Sequence, residues 1–157
     1  MSQSRRPDGV DLAARSRARR RAVQAIYAWQ VGGNRMISVI EQFRHEQDME
    51  IADLEYFEDL LRGIEKHVAD LDTGLKTHLD REVAQLDQIE RAVLRLAAYE
   101  LRHRPDVPYR VVINEAVEVT KRFGSDQGHT YVNGVLDKLA AEWRSTEYRS
   151  GATRGTR

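Results

Sequence analysis

LEYFEDLLRGIEKHVADL, residues 54–71, decides the fold class. Leu54, Phe57, Leu61, Ile64, Val68 and Leu71 recur at intervals of three, four, three, four and three, the repeat of a helix with one apolar face. A strand would alternate apolar and polar residues with period two, and no stretch of useful length does so. Thr73-Gly74 breaks the pattern, so the helix is expected to stop there, with residues 75–80 making one or two turns before a boundary near Arg81.

The same period continues outward in both directions. Towards the N-terminus, Met36, Ile37, Ile40 and Phe43 predict a short helix. Ahead of it, Ala22, Ala25, Ile26 and Trp29 predict another, ended by Gly32-Gly33-Asn34. Tyr27 and Trp29 read as core or interface residues of that helix. Towards the C-terminus, Leu86, Ile89, Val93, Leu96 and Leu101 mark a helix stopped by Pro105 and Pro108, because proline lacks the amide donor and disfavours helix in its predecessor. Ile113, Ala116, Val117 and Thr120 mark the next, with Phe123-Gly124 expected to supply a left-handed cap. Ser125 and Asp126 are expected N-caps of a last helix carrying Val132, Val135, Leu136, Leu139 and Trp143. Gly134 inside that helix costs about 1 kcal/mol relative to alanine, and close helix packing is the simplest reason for it. The expected fold is all-α, a bundle of about seven helices in two helical subdomains, residues 15–80 and 81–144. Residues 1–14 read as a flexible basic arm and residues 145–157, rich in Ser, Thr, Arg and Gly, as a disordered tail.

With 157 residues, the chain fits one compact domain or two small ones, and at 41% hydrophobic it carries enough apolar material for a core. The absence of cysteine excludes disulfides, thiolate metal sites and cysteine nucleophiles, and fits a reducing, cytoplasmic location. No apolar run approaches the roughly 18 residues of a membrane span. The arginine-rich start has no apolar segment behind it to make a secretory signal. The ten glycines never fall as a dinucleotide or P-loop pattern. The histidines at 45, 67, 78, 103 and 129 show no HExxH and no pair four apart. Asp70 and Asp72 lack the remaining ligands of a calcium loop. No metal, no cofactor and no catalytic group is expected, so an enzyme is the disfavoured class.

Charge is distributed unevenly. Net charge is zero, but residues 1–21 carry seven arginines against Asp8 and Asp11, while residues 22–143 carry 14 basic and 22 acidic side chains. Arg15, Arg17, Arg19, Arg20 and Arg21 enter the first turns of the first helix, where positive charge opposes the helix dipole. Phosphate contact explains the cluster; a solubilising arm without a specific partner is the alternative. Arginine alone does not select a sequence, so a nearby aromatic is needed. Tyr131, after Gly128-His129-Thr130, is the candidate; packing on the core as a boundary tyrosine is its other reading.

Ala22-Val23-Gln24-Ala25-Ile26-Tyr27-Ala28-Trp29-Gln30, Asp106-Val107-Pro108-Tyr109, Ile113-Asn114-Glu115-Ala116-Val117-Glu118 and Tyr131-Val132-Asn133-Gly134-Val135-Leu136-Asp137-Lys138 follow one another in an order that resembles the NusB family of bacterial transcription antitermination factors. The resemblance covers residues 15–144. It implies an all-helical fold of two subdomains and a non-enzymatic role: binding single-stranded boxA RNA in rRNA leaders together with NusE, a small-subunit ribosomal protein, before joining other Nus factors on RNA polymerase. Carried over by position, Arg15, Arg17, Arg19 and Arg20 would meet RNA, and Tyr131 would stack on a base. His78 stands where some relatives have tyrosine and Gln127 where some have aspartate. Glu90 matches an acidic position facing NusE. A protein-interaction module with nonspecific RNA contact is the competing reading.

Overall fold

The computed structural model describes residues 9–155. Among these are seven α-helices and no strand: α1 (Leu12–Gly32), α2 (Met36–Arg44), α3 (Leu54–Lys76), α4 (Gln88–His103), α5 (Tyr109–Phe123), α6 (Gly128–Trp143) and α7 (Ser145–Gly155). Short 3-10 turns lie at Gln47–Ile51 and Val83–Gln85. None of the helices is long and apolar enough to cross a membrane. The chain divides into two compact units, the first ending at Lys66 and the second beginning at His67. The division thus falls inside α3 rather than at the boundary expected near Arg81.

The first unit is built on small residues. Ala18, Ala22, Val23, Ala25 and Ile26 of α1 are buried, which lets α2 pack close to its backbone. Asp11 accepts a hydrogen bond from the Ala14 amide and caps α1, so residues 12–14, assigned from sequence to the flexible arm, belong to the first helical turn. Residues 1–8 of that arm lie outside the described residues. Gly33, at φ 76°, ends α1 in the left-handed conformation that glycine adopts without a Cβ penalty. The first amide of α2 donates to the Glu65 carboxylate at 3.0 Å, so a charge on α3 satisfies the helix start that Arg35 does not cap. Ile26, Met36, Ile40, Phe57, Leu60, Leu61 and Ile64 fill the core between these elements.

The second unit packs α4, α5 and α6 against one another around Leu94, Leu101, Val112, Val132 and Leu136. Asp87 caps α4 by accepting from the amides of Ile89 and Glu90. Pro108 immediately precedes α5, as the proline reading anticipates.

Four local expectations are corrected. The stop at Thr73-Gly74 does not occur: α3 runs to Lys76, because Gly74 sits under the Trp143 indole, where an added Cβ would collide with the ring. That packing outweighs the intrinsic helix cost of glycine. Gly134, assigned to close packing, is exposed and a Cβ there would meet nothing. Gly124 ends α5 at φ −96°, an ordinary extended conformation, and the α6 N-cap is Gln127, without a side-chain cap. Ser125, expected as that cap, instead directs its hydroxyl to Glu90.

The segment 145–157, expected to be a disordered tail, forms α7 over Ser145–Gly155. It lacks an apolar period because polar contacts anchor it. Arg144 donates to the carbonyls of Glu100, Leu101 and Arg104 at the end of α4 and pairs with Glu147 at 2.7 Å. Glu147 in turn accepts from the Tyr109 amide at the start of α5, and Tyr148 lies against the Tyr109 ring.

Candidate nucleic-acid interface

In the first unit the arginines of α1 take different positions. Arg15 and Arg19, one turn apart, converge on Tyr56 of α3: the guanidinium carbons lie 4.2 and 5.4 Å from the ring centroid, a cation–π arrangement. Arg15 also approaches Asp53 at 3.8 Å. Arg19 is only 3% exposed and points towards the Tyr56 hydroxyl at 3.5 Å, so it does not offer phosphate the open guanidinium expected from sequence. Arg17 is placed differently: half-buried, it donates to the Ile51 carbonyl at 3.2 Å. Arg20 is half-buried. Arg21 pairs with Glu46 and donates to Gln24.

In the second unit, Tyr131 near the start of α6 donates its hydroxyl to Asp80, and Arg81 lies 5.1 Å from its ring centroid. Arg81 also pairs with Asp80 at 2.7 Å. These neighbours hold the Asp80 carboxyl at about 2, with the Arg81 hydrogen bond the larger cause and that of Tyr131 the next. The Tyr131 phenol is pushed up by burial and by its hydrogen bond to Asp80. Tyr131 is half-buried: its hydroxyl is anchored on Asp80 while part of the side chain stays at the surface. His78 meets Glu142 of α6 at 2.8 Å, and Gln127 is exposed at the α6 N-cap.

Glu90, which the resemblance puts at an acidic position facing NusE, is 8% exposed. It rests against Gly128, where an added Cβ would lie 2.8 Å from the carboxylate, and accepts from Ser125. Burial pushes its carboxyl up, with the Asp87 charge adding to the effect and Arg81 opposing it. Asp80, Arg81 and Glu142 escaped sequence reasoning, because each owes its place to a partner far away in the chain. No group of three or more described His, Asp or Glu side chains is arranged to hold a metal.

The fold and these surfaces define an all-helical protein that presents arginines and a tethered tyrosine to its surroundings. Residues 16–141 match the model of the NusB family, and the chain belongs to that family. Among its relatives, the transcription antitermination protein NusB of Xanthomonas axonopodis pv. citri is 62% identical over 97% of this chain and 94% of its own length. That of Stenotrophomonas maltophilia is 66% identical over 90% and 89%. NusB of T. maritima shares the fold at a TM-score of 0.72 and 30% identity, covering 81% of this chain and 90% of that one. A crystal structure of the antitermination factors NusB and NusE in complex with double-stranded RNA matches at a TM-score of 0.66 and 26% identity, covering 88% of this chain and 98% of that one. Membership makes the chain an antitermination factor and not an enzyme.

Proposed function

We propose that this antitermination factor binds the single-stranded boxA element of nascent rRNA leaders together with NusE, and that the complex joins other Nus factors on RNA polymerase in the cytoplasm. The observation that carries this reading is the likeness to the solved complex of NusB and NusE with RNA, at 26% identity over most of both chains. The residues supply suitable chemistry. Arg17 and Arg20 provide charge for phosphates, while Arg15 and Arg19 act chiefly through Tyr56, fixing the face of α1 from which the others project. Tyr131 offers a ring for base stacking, steadied by Asp80 and Arg81. His78 and Gln127 supply further hydrogen-bonding groups, and Glu90, buried against Gly128, contributes negative charge towards basic NusE.

Salt titration of RNA affinity tests this division of labour. Arg17→Ala with Arg20→Ala lowers the slope of log affinity against log salt by about 0.7 for each phosphate that the pair neutralises in the wild type. Tyr131→Ala weakens binding with the slope retained, as stacking requires. Unchanged affinity in both variants would remove these residues from the interface.

A second reading, a protein-interaction module with incidental RNA contact, draws on one feature. Tyr27, Val31 and Ile37 are exposed in the first unit, at 41%, 54% and 43%. Retained NusE binding with no RNA sequence preference would favour it.

A further inference from the structure

The second unit contains a cavity of about 360 Å³ between the end of α3, the 3-10 turn at Val83–Gln85 and the start of α4. Its lining includes Lys76, Arg91 and Arg95 as cations and Asp72 and Glu82 as anions. Two of the cations are matched. Arg95 makes a two-point contact with Asp72 at 3.0 and 2.8 Å, and Lys76 meets both oxygens of Glu82 at 2.9 Å. Arg91 is not matched: among the described residues it has no carboxylate partner, and one terminal nitrogen donates to the backbone carbonyls of Ala84 and Leu86 at 2.9 and 3.4 Å. Its Nε is buried without a hydrogen-bond partner. An arginine held in place by neutral carbonyls, beside a second arginine, leaves one positive charge uncompensated in an open concave site.

We propose that this cavity binds a phosphate oxyanion through Arg91, with Lys76 and Arg95 as supporting cations. A tetrahedral oxyanion can accept from several of these donors at once and supplies the missing negative charge. Burial and the Arg95 charge push the Arg91 guanidinium down, whereas the nearby Asp72 offsets this only in part, which agrees with a cation awaiting an anion. The phosphate can come from an RNA backbone, in which case the proposal rests on the RNA-binding reading above, or from free phosphate, in which case it does not.

The test uses the full chain in two arms. In the first, inorganic phosphate replaces chloride at constant ionic strength while backbone amide NMR signals are followed. Saturable shifts at Thr73, Ala84 and Arg91 are expected, and Arg91→Gln abolishes those at Thr73 and Ala84. In the second, affinity for a short single-stranded RNA is measured against salt, where Arg91→Gln reduces the slope by about 0.7 if one backbone phosphate is seated there. Lys76→Gln, at an exposed side chain, takes the place of Arg91→Gln if the latter fails to fold, and weakens phosphate binding several-fold. Phosphate shifts with an unchanged RNA slope support the site and assign it to free phosphate. Wild-type protein that binds phosphate but no RNA would overturn the RNA reading and leave the site standing. The absence of a saturable phosphate shift in the wild type overturns the site.

Discussion

The Tyr131 hydroxyl donates to the Asp80 carboxylate at 3.0 Å across 51 residues of sequence, tying the start of α6 to the segment that follows α3. Arg81 completes the arrangement from beside Asp80 and beneath the tyrosine ring. The consequence is a surface aromatic whose orientation is set by its own neighbours, which would lower the ordering cost of the proposed base stacking.

This cluster titrates in acid. The folded Asp80 carboxyl sits at about 2 against an ordinary 3.8, so its contribution is complete above 3.8 and is lost as pH falls through about 2. Carboxyl NMR of the wild type is expected to give a midpoint near 2. Arg81→Ala moves it towards 3.8, and Tyr131→Phe moves it the same way by less, following the order of the causes. A wild-type midpoint at the ordinary value would contradict the contact.

Glu90 behaves in the opposite sense. Its folded carboxyl is raised, so its ionisation opposes folding: the favourable contribution is full below the ordinary value of 4.5 and disappears as pH rises through the folded one. At neutral pH, Glu90→Gln removes a buried charge while leaving an acceptor for Ser125. Its melting temperature is expected to equal or exceed that of the wild type. A clear fall would show that the charge itself holds the Ser125–Gly128 turn.

Two glycines inside helices separate packing from propensity. Gly74→Ala drives a Cβ into the Trp143 ring, which is also covered by Arg102 at 4.4 Å, and costs about 1–3 kcal/mol. Gly134→Ala places its methyl in open space and stabilises by about 0.5–1 kcal/mol. Urea denaturation of the two variants should displace the midpoint in opposite directions.

Arg144 connects the C-terminal helix to the rest of the second unit. Arg144→Ala leaves three carbonyls at the end of α4 without this donor and releases Glu147, for a loss of about 2 kcal/mol. Hydrogen exchange is expected to accelerate first in residues 145–150; unchanged protection there would show that α7 is held by other contacts.

The helical class was legible because Phe57, Leu61 and Ile64 fall on one helix face, and all three are buried in the first unit. Helix α3 was misjudged beyond Leu71 because the residue that accommodates Gly74 is Trp143, which local spacing cannot supply. The α7 helix was missed for a related reason: Arg144, Glu147 and Tyr109 hold it by directional polar contacts, which leave no periodic trace. In the candidate site, the arginine cluster was visible as charge, but its facing was not. Arg15 and Arg19 turn towards Tyr56, whereas Arg17, half-buried on another side of the helix, donates to the Ile51 carbonyl. Tyr131 could be singled out from its neighbours in sequence, but Asp80 and Arg81 became its partners only through folding.

Fluorescence-anisotropy titration of a boxA-containing rRNA leader fragment against a scrambled fragment, each with and without NusE, decides whether this protein recognises RNA cooperatively. Preferential binding to boxA that strengthens when NusE is added is the expected result. Equal, weak binding to both fragments, unaltered by NusE, would contradict it.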